Sequence, residues 1–245
     1  MIKAYAKTDI GRAREINEDG FYITEDQFDK MQLFILADGM GGCNGGEIAS
    51  NQAITCAKNY IENNFDDTPK DKDSLIQLVA SSMEYANMVV YEKSLQDKNL
   101  EGMGTTLEVC LIYNNRAFIG HIGDSRIYRI RKDFIRKLTQ DHSYVQKLVQ
   151  EGSITSDEAE HHPKKNMLMK ALGCNAFVEP DVMVKGFQKE DILIMCSDGL
   201  TNMVELEYIN KIVKENFEFA TQSLVELANK NGGMDNITII TIKNL

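Results

Sequence analysis

The chain is short of several things, and each shortage excludes something. Basic residues are outnumbered, 27 Lys and Arg against 37 Asp and Glu, for a formal net charge of −10. Nonspecific nucleic-acid binding needs a basic footprint, so a nucleic-acid partner is not expected. The five cysteines, Cys43, Cys56, Cys110, Cys174 and Cys196, are scattered and contain no Cys-x-x-Cys pair. That argues against a disulfide framework or a zinc–thiolate site and fits a reducing cytoplasm. No apolar run approaches the roughly 20 residues that a membrane span requires, and Met1 to Asp9 lacks the layout of a signal peptide. A cytoplasmic protein without a membrane partner is the expectation. Only three prolines interrupt the chain, and there is no repeat, linker or low-complexity tract. One domain spanning 1–245 is therefore expected.

What is present reads as strands and helices in blocks. Ile2 to Thr8, Phe21 to Thr24 and the apolar run Met31 to Ala37 have strand character, the last stopping at Asp38-Gly39. Apolar residues recur at helical spacing from Glu47 to Asn63 and from Ser74 to Glu92, with Asp73 or Ser74 as the cap of the second helix. The period then changes. Thr105 to Ile112, Ala117 to Ile122 and Arg126 to Ile130 read as consecutive strands, with Asn114-Asn115 as a hairpin turn. Ser143 to Gln150 is helical, Glu151 to Asn166 polar, and Asp191 to Cys196 an apolar strand. Helices near Glu205 to Lys214 and Ala220 to Asn229 precede a closing strand, Asn236 to Ile242. Blocks rather than strict alternation point to an α+β layered sandwich of antiparallel sheets covered by helices.

Three places repeat one design. Leu36-Ala37-Asp38-Gly39 and Cys196-Ser197-Asp198-Gly199 end apolar strands in Asp-Gly, and Gly232-Gly233-Met234-Asp235-Asn236 sets an Asp before another. A lone Asp-Gly is most simply a turn. A carboxylate at the end of a buried strand, however, is costly unless a partner or metal compensates it, and glycine lets the backbone turn sharply beside it. Oxygen-only clusters suit Mg2+ or Mn2+ better than Zn2+ or copper. A further cluster, Arg14-Glu15-Ile16-Asn17-Glu18-Asp19, sets an arginine, the residue suited to clamping phosphate, ahead of a Glu-Asp pair.

Taken in order, these segments resemble the PPM family, the metal-dependent type 2C protein phosphatases, in its compact bacterial form. The resemblance is carried by Arg14-x-x-Asn17-Glu18-Asp19, Ala37-Asp38-Gly39-Met40-Gly41-Gly42, Gly45 with Glu47, Ala49-Ser50, Gly102-Met103-Gly104-Thr105-Thr106, Gly120-His121-Ile122-Gly123-Asp124-Ser125-Arg126, Cys196-Ser197-Asp198-Gly199-Leu200 and Gly232-Gly233-x-Asp235-Asn236. It implies a four-layer α-β-β-α sandwich, two central antiparallel sheets flanked by helix pairs. It implies hydrolysis of phosphoserine and phosphothreonine by direct attack of a metal-bridging water or hydroxide, with two Mn2+ or Mg2+ ions. Asp38 would bridge them, Asp198 and Asp235 would complete the first ion's shell, and the Gly39 carbonyl would contact the second. Glu18 and Asp19 would hold metal-bound waters, and Arg14 the substrate phosphate. Asp124, whose simpler reading is a hairpin turn, would join Asp198 in a third, weaker site. Thr139 to Gly173 resembles the family's flap beside the active site. The implied partners are phosphorylated proteins and a bacterial Ser/Thr kinase that the enzyme opposes, and a monomer is expected.

The sequence departs from the family pattern at three points. Met40 and Cys43 stand where relatives carry a histidine, and Lys165-Asn166 replaces a more usual Arg-Asn. His121 reads as a structural strand histidine. Two rivals remain: a catalytically silent phosphoprotein-binding module, which the presence of Asp38, Asp198 and Asp235 disfavours, and a hydrolase of other phosphoesters.

Overall fold

Several strands are apolar on both faces, and the computed structural model, which describes residues 1–24, 31–40 and 45–245, shows what each face meets. In β3 (Gln32–Met40), Leu33, Ile35 and Ala37 join one core while Phe34 and Leu36 join another. In β10 (Ile192–Cys196), Ile192, Ile194 and Cys196 join a third, and Leu193 and Met195 join the core that holds Phe34 and Leu36. Period-2 alternation thus serves two cores per strand, and the middle core lies between two sheets.

One sheet has the order β1 (Ile2–Asp9), β11 (Ile237–Asn244), β10, β7 (Arg126–Arg131), β8 (Phe134–Lys137). The other has the order β2 (Asp19–Ile23), β3, β5 (Leu107–Tyr113), β6 (Arg116–Ile122), β9 (Asp181–Gly186), with the short β4 (Gly104–Thr105) paired to the end of β3. Neighbours are antiparallel throughout. Helices α1 (Gly46–Asn64) and α2 (Lys72–Gln96) cover the second sheet, and α6 (Leu206–Glu215) and α7 (Ala220–Lys230) the first. The layers are α-β-β-α, as the family resemblance implied. No helix among the described residues is long and apolar enough to cross a membrane.

Several local expectations need correction. Strand β3 does not stop at Asp38-Gly39 but runs through both to Met40, because Gly39 and Met40 pair with Thr105 and Gly104. The cap of α2 is Asp71, whose Oδ1 accepts from the amides of Asp73 and Ser74 at 3.0 Å each. Strands β8 and β9 carried no expectation. Both are partly exposed along their length, so neither shows a clean buried face in sequence. The simpler reading of residues 123–125, set beside that of a third metal site, does not hold. They are not a hairpin turn: β6 and β7 lie in different sheets, and the chain crosses between the layers at Asp124. The true hairpin is at Asn114-Asn115, with φ of 47° and 57°, the left-handed pair that a two-residue turn of this kind needs.

Between β8 and β9 the chain forms α3 (Tyr144–Gln150), capped by Ser143, and α4 (Ser156–Glu160), closed by a Thr155–Glu158 capping box. Isolated bridges Ser143–Leu168 and Thr105–Leu172 fasten this excursion to the body.

Candidate metal centre and phosphate site

Five aspartates at or near strand ends reach the same end of the sandwich. Asp19 opens β2 and faces Asp38 of β3 in register. Asp198 follows β10 and opens the short helix α5 (Asp198–Thr201), Asp235 precedes β11, and Asp124 sits where the chain passes between the sheets. The two sheets deliver their carboxylates to a common seam.

The backbone around Asp38 is held from three directions. Its N–H donates to Thr106 Oγ1 at 2.9 Å, and its carbonyl accepts from Thr106 N–H and Thr105 Oγ1, each at 2.9 Å. Thr106 Oγ1 is also 2.9 Å from Ser125 Oγ, which ties the Asp38 strand to the Asp124 crossing. Gly39 has no room for a side chain: a Cβ there would lie 2.2 Å from the Gly46 carbonyl oxygen. Its N–H donates to the Glu18 carbonyl at 3.1 Å. Glu18 is joined to the far sheet by Asn236, whose Oδ1 accepts the Glu18 N–H at 2.8 Å. The Asn236 amide donates to the carbonyls of Ile10 and Ile16 at 2.9 and 3.0 Å, so one side chain shapes the whole Arg14 loop.

Asp19 is 8% exposed. Ser197 Oγ donates to its Oδ2 at 2.8 Å, while its Oδ1 is buried without a hydrogen-bond partner. Asp198 accepts from Asn202 Nδ2 at 3.0 Å. Asp235 takes Arg14 in a two-pronged pair, Nη2 to Oδ2 and Nε to Oδ1 both at 2.9 Å. Among the described residues, no three His, Cys, Asp or Glu side chains stand together as a ready-made ion cage. Asp235 is turned onto Arg14, Asp19 onto Ser197 and Asp198 onto Asn202.

The electrostatics expose the cost of this gathering. Burial, and then the nearby charges of Asp19, Asp198, Asp124 and Asp235, push the Asp38 carboxyl well above its ordinary range. Burial together with Asp198 and Asp235 raises Asp19 to about 7, against the lowering hydrogen bonds of Thr238 and Ser197. Burial, Asp198 and Asp141 raise Asp124 to about 7, with Arg126 opposing. Asp198 is raised by burial and by Asp235. Glu18 is raised mainly by burial, with Arg14 opposing. Like charges this close cannot all ionise without a compensating cation. The donor set is wholly oxygen, Asp19 Oδ1 is buried without a hydrogen-bond partner, and both features fit a hard divalent ion.

The family model for protein phosphatase 2C matches residues 12–236. The chain belongs to the protein phosphatase 2C family. It is 37% identical to the serine/threonine phosphatase stp of Listeria innocua, over 99% of this chain and 96% of that one. The serine/threonine phosphatase of S. agalactiae superposes with a TM-score of 0.91 at 35% identity, covering all of both chains. The catalytic domain of the phosphatase PstP, solved in complex with two manganese ions, superposes with a TM-score of 0.85 at 33% identity, over 99% of this chain and 97% of that one.

Within this phosphatase 2C chain, the residues named from sequence all reach the seam or its rim: Arg14, Glu18, Asp19, Asp38, Gly39, Asp124, Asp198 and Asp235. Met40 ends β3 beside them and offers no titratable group; Cys43, with Gly41 and Gly42, lies outside the described residues. Sequence reasoning gave no role to Ser197, Asn236, Thr106 or Ser125, although each stood inside a quoted motif. Their work is to hold backbone and carboxylate in place, which a motif does not reveal. It also passed over Glu108. The signal there was a charge inside the apolar run Thr105 to Ile112.

Proposed function

We propose that this chain is a metal-dependent serine/threonine phosphatase that removes phosphate from proteins, and that Asp38, Asp198 and Asp235 hold its cations. The carrying observation is the seam itself. Five carboxylates converge there, Arg14 pairs with only one of them, and Asp19 Oδ1 is left bare. Asp38 would serve two ions at once, and the Gly39 carbonyl with Glu18 and Asp19, through water, would complete their surroundings. Asp124 and Asp198 would make a third, weaker site. Mn2+ or Mg2+ suits these donors. When bound, such cations supply Lewis acidity and a water acidic enough to attack phosphorus near neutral pH.

The chain's own groups do the rest. Arg14 is half exposed, at 48%, and already forked onto a carboxylate. A phosphate offers the same two-oxygen face, so Arg14 can exchange Asp235 for substrate. That exchange frees Asp235 for a cation, so substrate and metal would favour one another. Met40 and Cys43 offer no general acid, so a water, bound at the cations or positioned by segment 139–173, would protonate the departing oxygen.

A cleft of about 820 Å3 runs from Asp124 and Asp198 between the helices of segment 139–173 and the start of α6. Its walls include Val145, Val149, Met203 and Leu206, together with Lys165 and His161. In this reading segment 139–173 is a flap that contacts the phosphoprotein along that cleft. A monomeric, single-domain cytoplasmic enzyme opposing a Ser/Thr kinase completes the proposal.

The test is hydrolysis of para-nitrophenyl phosphate and a phosphothreonine peptide across Mn2+ and Mg2+, with okadaic acid present. Metal-dependent, okadaic-acid-resistant release of phosphate from both is expected. Equal turnover in excess chelator would sink the reading.

A further inference from the structure

Strand β5 carries a charge where its neighbours are apolar. Glu108 is 0% exposed, and so is His121, its direct partner in the β5–β6 register. Aliphatic side chains would fill this place without desolvation cost, and such replacements of buried ion pairs are often neutral or stabilising. The pair must be explained by what else it touches. Glu108 Oε1 contacts His121 Nδ1. On the other side of the ring, Nε2 lies 2.8 Å from the carbonyl oxygen of Gln140. A carbonyl only accepts, so Nε2 carries a proton, and one further proton is shared between Nδ1 and Oε1. The imidazole is fixed at both ends.

Gln140 lies at the entry of segment 139–173, and the next two residues repeat the connection. The His142 ring packs on that of His121 with centroids 4.5 Å apart. Gly123 N–H donates to His142 Nδ1 at 3.1 Å, and His142 N–H donates to the Gly123 carbonyl at 2.7 Å. Both backbone groups of Gly123, the residue before Asp124, are therefore taken by His142. Gly123 has φ of +112°, and a Cβ there would lie 2.5 Å from Thr106 Cγ2, so this crossing cannot readily take another shape. Beyond it, Arg126 grips Asp141 through three contacts of 2.7 to 3.2 Å. Residues on either side of Asp124 thus hold residues 140, 141 and 142 in turn.

We propose that Glu108, His121 and His142 are positioning residues that lock the entry of segment 139–173 to the Asp124 crossing, so that the docking of that segment and the placement of the Asp124 carboxylate are set together. The catalytic consequence rests on the phosphatase reading; the mechanical coupling does not. The experiment measures amide hydrogen exchange across 139–150, melting temperature, and kcat and KM for para-nitrophenyl phosphate with Mn2+. In Glu108→Leu/His121→Leu the melting temperature stays level or rises. Exchange across 139–150 quickens about ten-fold, and kcat falls about ten-fold with KM within about two-fold. Glu108→Gln keeps wild-type exchange, because its amide can donate to Nδ1 while Nε2–H remains on Gln140. A folded double variant with wild-type exchange and kcat would overturn the proposal, as would Glu108→Gln exchanging like the leucine pair. Should the double variant not fold, His142→Ala decides by the same exchange measurement: faster exchange supports the coupling, and wild-type exchange overturns it. Inactivity of the wild type itself would sink the phosphatase reading and leave the exchange comparison to judge the coupling.

Discussion

Two neighbouring clusters of enclosed charge are built on opposite rules. At Asp141 the charges are matched: Arg126 and Lys137 both reach its carboxylate, at 2.7 and 3.0 Å. Although burial pushes Asp141 upward, those two cations hold it below its ordinary range. At the seam the charges are stacked alike, and burial with the other carboxylates drives Asp38 the other way. The same chain, using the same residue type, satisfies one aspartate completely and leaves a group of them in mutual repulsion. In the reading proposed above, the unmatched carboxylates are a place for charge supplied from outside.

The comparison is sharpest under substitution. Asp38→Asn removes one of the repelling charges together with the carboxylate proposed to lie at the centre of the cation site. Metal-dependent kcat should fall by about 1,000-fold or more, while the metal-free melting temperature rises. Asp141→Asn should do the reverse to stability. It strands Arg126 in a largely enclosed place, and breaking such a pair costs on the order of 3 kcal/mol. Thermal melts of both variants without metal decide the matter, and movement in the same direction would break the contrast.

Next in size is the dependence on pH. Asp19 and Asp124 rise from 3.8 to about 7 on folding. A carboxyl raised in the folded state contributes its full stability below pH 4 and loses it as pH climbs through 7. Asp141, lowered in the folded state, acts in the opposite sense and only near or below pH 4. In the window between pH 4 and 7 the seam carboxylates withdraw stability, joined by Glu108, which burial raises to about 7, and opposed by His142, which burial lowers to about 4. The metal-free melting temperature should fall across that window, and the stabilisation given by Mn2+ should be greater at pH 7.5 than at pH 5. A Mn2+ shift that is constant with pH would separate metal binding from these carboxylates. Smallest is Arg14→Ala. It should raise KM for para-nitrophenyl phosphate about ten-fold, with little change in melting temperature, because the Arg14–Asp235 pair is solvent-screened.

Much of the seam was legible in the sequence, for a reason that the fold explains. Asp38, Asp198 and Asp235 each abut a strand that is apolar on both faces, and such strands end in charge only where the chain needs it. Asp124 was less legible. A hairpin turn and a crossing between sheets have the same local composition, and only the separate pairing of β6 with β9 and β7 with β10 tells them apart. The cap at Asp71 was hidden by the run Asp71-Lys72-Asp73-Ser74, which offers three capping side chains at adjacent places. Asn236 and Ser197 were visible as residues but not as roles. Their partners, Ile10, Ile16 and Glu18 for one and Asp19 for the other, lie more than 170 positions away along the chain. Long-range hydrogen bonds leave no local period to read.

If the crowded carboxylates are a cation site, Asp38 lies at its centre. Calorimetric titration of the purified, metal-stripped protein with Mn2+ at pH 7.5, alongside Asp38→Asn, tests it most directly. The wild type should bind at least two ions per chain, and Asp38→Asn should lose both of the tight ones, since it serves each. Fewer than two ions in the wild type, or undiminished binding by Asp38→Asn, would contradict the account.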